Sequence, residues 1–127
     1  LANDATGNNI GGQGVEISST GYYEVHTSTE SSIDEVYLWA TNNNASSTNL
    51  DIIVSPAAPA PSDTGQIKLT LQPQAGLTLV IPGLPLGEGR TMWAQSGEAT
   101  GVTVFGYILR RFRKDSTNAS SGFDGSE

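Results

Sequence analysis

The stretch Ile33–Thr41, IDEVYLWAT, decides how the rest of this chain is read. It is dense in β-branched and aromatic residues, which fit a pleated, half-buried surface. Because side chains along a strand alternate between faces, Val36, Leu38 and Ala40 fall on one side and Ile33, Tyr37 and Trp39 on the other. A strand that is apolar on both faces needs two covers. The second cover is expected to be an opposing sheet, a folded-over loop or a neighbouring subunit. Val102–Leu109, VTVFGYIL, has the same two-faced character, so these two stretches are expected as central strands.

Working outward, Val15 and Ile17 alternate with Glu16 and Ser18 as in a short edge strand. Gly21 opens YYEVHT, in which Tyr23 and Val25 share one face and Tyr22, Glu24 and His26 the other, so His26 is expected at the surface. Asn42 to Ser47 is a loop signal, because Asn tolerates positive φ and caps its own backbone. Leu50, Ile52 and Val54 alternate as the next strand. Pro56 to Gly65, PAAPAPSDTG, cannot join a ladder and is expected as an extended surface loop. Ile67, Leu69 and Leu71 point inward and Lys68, Thr70 and Gln72 outward. Pro73 to Gly76 reads as a tight turn into Leu77–Ile81, making a hairpin, and Pro82 to Gly89 as a loop whose Leu84 and Leu86 fold back over the core. Met92 and Ala94 alternate with Thr91 and Trp93 before the final strand.

This gives seven main strands, plus the short one near Val15, with a turn signal between each pair. The expected fold is an all-β antiparallel β-sandwich of jelly-roll or immunoglobulin-like type. It divides into an irregular arm over 1–20, a sandwich domain over 21–111 and a polar tail over 112–127.

The totals agree with that class. At 127 residues, 36% hydrophobic and 15% charged, the chain has room for one core and carries 15 Gly and 6 Pro for turns. No window holds apolar residues at helical spacing, and none is long enough for a membrane span. A net charge of -7 with only six Lys and Arg argues against nucleic acid and against anionic membranes. Four of those six are Arg110, Arg111, Arg113 and Lys114, read as a solvated strand end or as a complement to nearby acids. The first residue is Leu, consistent with a trimmed start, and positions 1 to 14 lack the basic and apolar regions of a signal peptide.

Chemistry is thinly represented. There is no Cys, so neither a disulfide nor a thiolate metal site can form. His26 is the one His, and no nucleophile elbow, zinc-protease motif, phosphate loop or calcium loop is present. Asp34 and Glu35 are adjacent and therefore fall on opposite faces. No catalytic residue, cofactor or metal is expected. The informative set is aromatic: Tyr37, Trp39, Trp93, Phe105 and Tyr107 lie opposite the small or aliphatic residues of their own strands. They fit ordinary core, a subunit interface or a sugar-stacking platform, and they form one patch if the central strands are neighbours.

The order YYEVHT, IDEVYLWATN, NLDIIV, QIKLTLQPQAGLTLVIPGLPLGEGRTMWA and VTVFGYILRR resembles the small β-sandwich structural proteins of tailed-bacteriophage virions, over about residues 20 to 111. That resemblance implies a capsid decoration (cement) or head-fibre role, commonly as a homotrimer. Its partners would be the major capsid protein or other virion proteins, and its location the virion, assembled in the host cytoplasm. Ile10, Val15 and Ile17 would then belong to a capsid-attachment arm. The alternative is an extracellular receptor- or glycan-binding module using Trp39, Trp93 and the loops Asn42–Thr48 and Pro56–Gly65.

Overall fold

A computed structural model describes residues 14–112. It contains eight strands and no helix: β1 (Val15–Ile17), β2 (Tyr23–Thr27), β3 (Ser32–Asn42), β4 (Thr48–Ser55), β5 (Ile67–Leu71), β6 (Thr78–Gly87), β7 (Thr91–Ser96) and β8 (Val102–Phe112). They form two four-stranded sheets, ordered β1-β8-β3-β6 and β2-β7-β4-β5, and every pairing is antiparallel.

Strand pairing distinguishes the two sandwich types left open by the sequence. β1 pairs with β8, β2 with β7, β3 with β6 and β4 with β5. The chain is thus one long antiparallel hairpin, β1 to β4 against β5 to β8, rolled into two sheets. That nesting is the jelly roll.

The core lies between the sheets and comes from alternate residues of each strand. Val36, Leu38 and Ala40 of β3 meet Leu50, Ile52, Met92 and Ala94 of the opposing sheet, all buried. Burying such aliphatic side chains contributes roughly 1.5–3 kcal/mol each before entropy is counted. β3 and β8 are central in their sheet and pair without a register shift from Ser32↔Phe112 to Asn42↔Val102.

Three local expectations are corrected. Leu77–Ile81 does not form a hairpin with the strand before it, because rolling the chain sends β5 back to β4 and β6 across to β3. Pro82 to Gly89 is not a loop over most of its length, since β6 continues to Gly87. β6 is an edge strand, and an edge residue whose N–H would face outward can be proline without losing a ladder bond. Two shifts in the β3–β6 register leave Val80 and Gly83 as extra residues. At Gly83 φ is +105°, and a Cβ there would stand 3.1 Å from the Tyr37 ring. Leu86 is buried and does close the core. Finally, β8 runs on through Arg110 and Arg111 to Phe112, so the basic cluster is part of a strand and not its departure.

Leu38 has no solvent exposure. Leu38→Ala is therefore expected to lower unfolding free energy by about 2–5 kcal/mol. Lys68→Ala, on an exposed site, should stay within about 0.5 kcal/mol of wild type. Urea melts of the two variants check both values.

Candidate functional site

Two features stand out on the β1-β8-β3-β6 sheet: an ionic cluster on its inner face and an aromatic cluster on its outer face. Both follow from the alternation of β3 and β8. On the inner side, Asp34 is fully buried, and its neighbour across β8 is Arg110. Arg110 Nε donates to Asp34 Oδ1 and Nη2 donates to Oδ2, each at 2.9 Å. His26 Nε2 lies 2.6 Å from Asp34 Oδ2.

His26 is thus not at the surface. The β2–β7 register shifts between Glu24 and His26, and the extra residue turns the imidazole inward, where its side chain keeps 11% exposure. Strict alternation could not reveal a bulge. Burial pushes the Asp34 carboxyl up, but hydrogen bonds from Arg110, His26 and Ser32, with the Arg110 charge, more than reverse this and hold it at about 2. Asp34 is ionised at neutral pH and can only accept, so the His26 nitrogen facing it carries the proton. The hydrogen bond to Asp34 raises Arg110 in turn. This cluster fastens β2 of one sheet to β3 and β8 of the other. Arg111 pairs with Glu35 at 3.3 Å, on the opposite face. The basic residues of β8 therefore complement adjacent acids, one pair inside and one outside.

On the outer side, the register places Tyr37 beside Tyr107 and Trp39 beside Phe105. The Tyr37 and Tyr107 rings stack with centroids 4.9 Å apart and planes 13° from parallel, and Trp39 stacks on Tyr107 at 5.9 Å. Glycines let the outer rings lie against backbone. A Cβ on Gly14 would come within 2.6 Å of the Phe105 ring, as one on Gly83 would crowd Tyr37. Around the stack, Ile33, Leu79 and Leu109 are 40%, 49% and 47% exposed, and Tyr107 itself is 46% exposed. The middle of the face is apolar, with the Glu35–Arg111 pair at one end and Glu16, Thr41 and Thr103 at the other.

Trp93 does not join this patch. It lies on β7 in the other sheet, where Nε1 donates to the Ser55 carbonyl at 3.1 Å. Five aromatics on two-faced or alternating strands cannot be sorted by sheet before the topology is known. That second sheet is treated differently by its own chain. Ile53, opposite Trp93, is buried, Tyr22 donates to the Asp63 carbonyl at 2.8 Å, and Gly65 packs on Asp51. The Pro56–Gly65 loop folds back over this sheet's outer side. No described segment does the same for Tyr37, Trp39 and Tyr107.

Of the expected arm residues, Ile17 is fully buried in the core and Val15 packs against that core, because β1 is a strand of the sheet. Ile17 is therefore unavailable for attachment without unfolding that edge, while Val15 stays half-buried. Ile10 lies outside the described residues. Among the described residues no group of three or more His, Asp or Glu side chains is gathered as metal ligands. A polar groove of about 280 Å³ is lined by Ser19, Asn49, Asp51, Pro61 and Gln95, and Asp51 Oδ1 is buried without a hydrogen-bond partner.

Comparison of the chain with protein-family models, with curated proteins and with solved structures finds no match.

The folded carboxyl of Asp34 lies below the ordinary value of 3.8, so its stabilisation is complete above that pH and is lost as pH falls toward 2. It amounts to about 2 kcal/mol. Asp34→Asn is expected to cost about 3 kcal/mol at pH 7, since it leaves Arg110 without its charge partner. Between pH 4 and 2 the variant should lose less further stability than wild type. Urea midpoints of both proteins across that range test the difference, and parallel curves would remove Asp34 from the account.

Proposed function

We propose that this protein is a non-enzymatic structural component whose product is an interface, acting as a capsid decoration protein of a tailed phage. The observation that carries the reading is the stacked cluster of Tyr37, Tyr107 and Trp39, lying open on a sheet face that no described segment covers. Apolar faces of this kind mark surfaces that meet a partner. The occupant that fits is a second copy of the same chain. The centre of the face is apolar and at one end Glu35 and Arg111 already neutralise one another, so this patch does not repel another copy, whereas the domain as a whole is acidic and would repel itself elsewhere. Around a three-fold axis the patch of each copy would meet a different surface of the next.

A homotrimer built on this face would place several copies on one shell site. Attachment to the major capsid protein or other virion proteins then gains strength from repetition, even where each contact is modest. The jelly roll supports a capsid role only as a scaffold, because the same fold also hosts lectins and enzymes.

A second reading, a glycan- or receptor-binding module, draws on the other sheet. There the groove beside Asn49, Asp51 and Gln95 offers the planar polar groups that hydroxyls recognise.

Light scattering combined with a glycan array separates the readings. The wild type is expected at three times the chain mass and silent on glycans. Trp39→Ala and Tyr107→Asp should shift it to monomer, and Trp93→Phe should leave it unchanged. A monomeric wild type that binds sugar, losing it with Asp51→Ala, would sink the capsid reading.

A further inference from the structure

The four edge strands are not equally fit for pairing with a further strand. β1 has three residues, β2 carries the bulge between Glu24 and His26, and β6 lacks amide donors at Pro82 and Pro85. β5, Ile67–Leu71, has five residues with a backbone N–H each, and it pairs with β4 without a register shift. Among the described residues no backbone group bonds its other side, and a side chain reaches one carbonyl, that of Leu71, from Asn42 Nδ2.

Beside this edge the sandwich is open. An apolar groove of about 340 Å³ runs between β5 and β6, lined by Ile67, Val80, Ile81, Pro82 and Leu84. A strand added to β5 would turn every second side chain toward the opposing sheet, and so into this groove. Its other side chains would continue the exposed row of Lys68 and Thr70.

We propose that the β5 edge takes an extended segment of another protein as a fifth strand of its sheet, with apolar residues at alternate positions and a carboxylate between them. Three observations favour this partner. The open backbone and the groove beside it are the two parts strand addition uses: main-chain bonds for affinity and pockets for alternate side chains. Lys68 is exposed and makes no ion pair with a described residue, while Asp51, its register neighbour on β4, lies against Gly65. It is therefore a local cation on an acidic domain, placed where a carboxylate on the added strand would stand beside it. Finally, neither 1–13 nor 113–127 in this sequence has apolar residues two positions apart, and the β5 of a second copy would bring Lys and Thr to that row and no carboxylate. The inference is independent of what meets the aromatic face, which belongs to the other sheet.

Amide NMR of the full chain with a synthetic strand is the test. The probe is a capped seven-residue peptide that alternates Thr and Val, with Glu replacing the second Thr. In the free chain the β5 amides that do not bond β4 should exchange freely. Millimolar peptide should shift the β5 resonances and slow that exchange several-fold, leaving the β2 edge unmoved. Lys68→Glu should weaken binding roughly fivefold, and a peptide with Lys replacing its Glu should restore it. Peptides N-methylated on one or the other alternate set of amides should differ roughly tenfold in affinity, because only one set faces β5. Protection of these amides in the free chain would overturn the proposal: if dilution removes it the edge belongs to a second copy, and if not, to the chain itself. So would no shift at β5, equal binding by the two methylated peptides, or equal binding by a peptide of the same composition without alternation. An affinity unchanged by Lys68→Glu would overturn the carboxylate.

Discussion

The structure depends on the unbroken pairing of β3 with β8. Because the side-chain period of a strand is two residues, a slip of one position would move Val36, Leu38 and Ala40 out of the core and push Tyr37 and Trp39 into it. Asp34 and Arg110 work against that slip. They are register partners on the inner face, and the bidentate bond between them can form only in this alignment. A buried carboxylate without its guanidinium would be costly, so the pair discriminates between registers as well as joining strands. His26 extends the same constraint to the other sheet.

That constraint produces two faces with different tasks. The inner face is consumed by the fold. The outer face gathers Tyr37, Trp39, Phe105 and Tyr107 because the same register that pairs Asp34 with Arg110 also pairs Tyr37 with Tyr107. Edge positions support the display. Gly83 and Gly14 carry no Cβ where the rings need room, and Pro82 and Pro85 on β6 limit pairing along that edge. The other sheet has its own cover in the Pro56–Gly65 loop. Among the described residues, a loop folds over one sheet and stacked aromatics lie on the outer side of the other.

The strand content, the central place of Ile33–Thr41 and Val102–Leu109 and the two-faced character of both were legible in the sequence. Alternation is a local property, set by covalent geometry and by which residues stand next to one another. The same logic failed wherever the chain departs from strict alternation. The bulge near His26 turned an expected surface residue inward, and the shifts around Gly83 allowed a strand through a proline-rich segment. Such departures come from the fit between neighbouring strands, which no single strand encodes.

The sequence by itself determined that this is a strand-built sandwich with more apolar strand surface than one core can take. Tertiary structure decided how the strands nest, and therefore which apolar faces the described residues leave uncovered. Trp93 and Trp39 carry the same local signal, yet one lies on the sheet its own loop folds over and the other on the sheet whose outer face no described segment covers. The physical reason is that burial depends on what arrives from far along the chain. A side chain specifies the face it occupies, while the rolled hairpin specifies what that face meets.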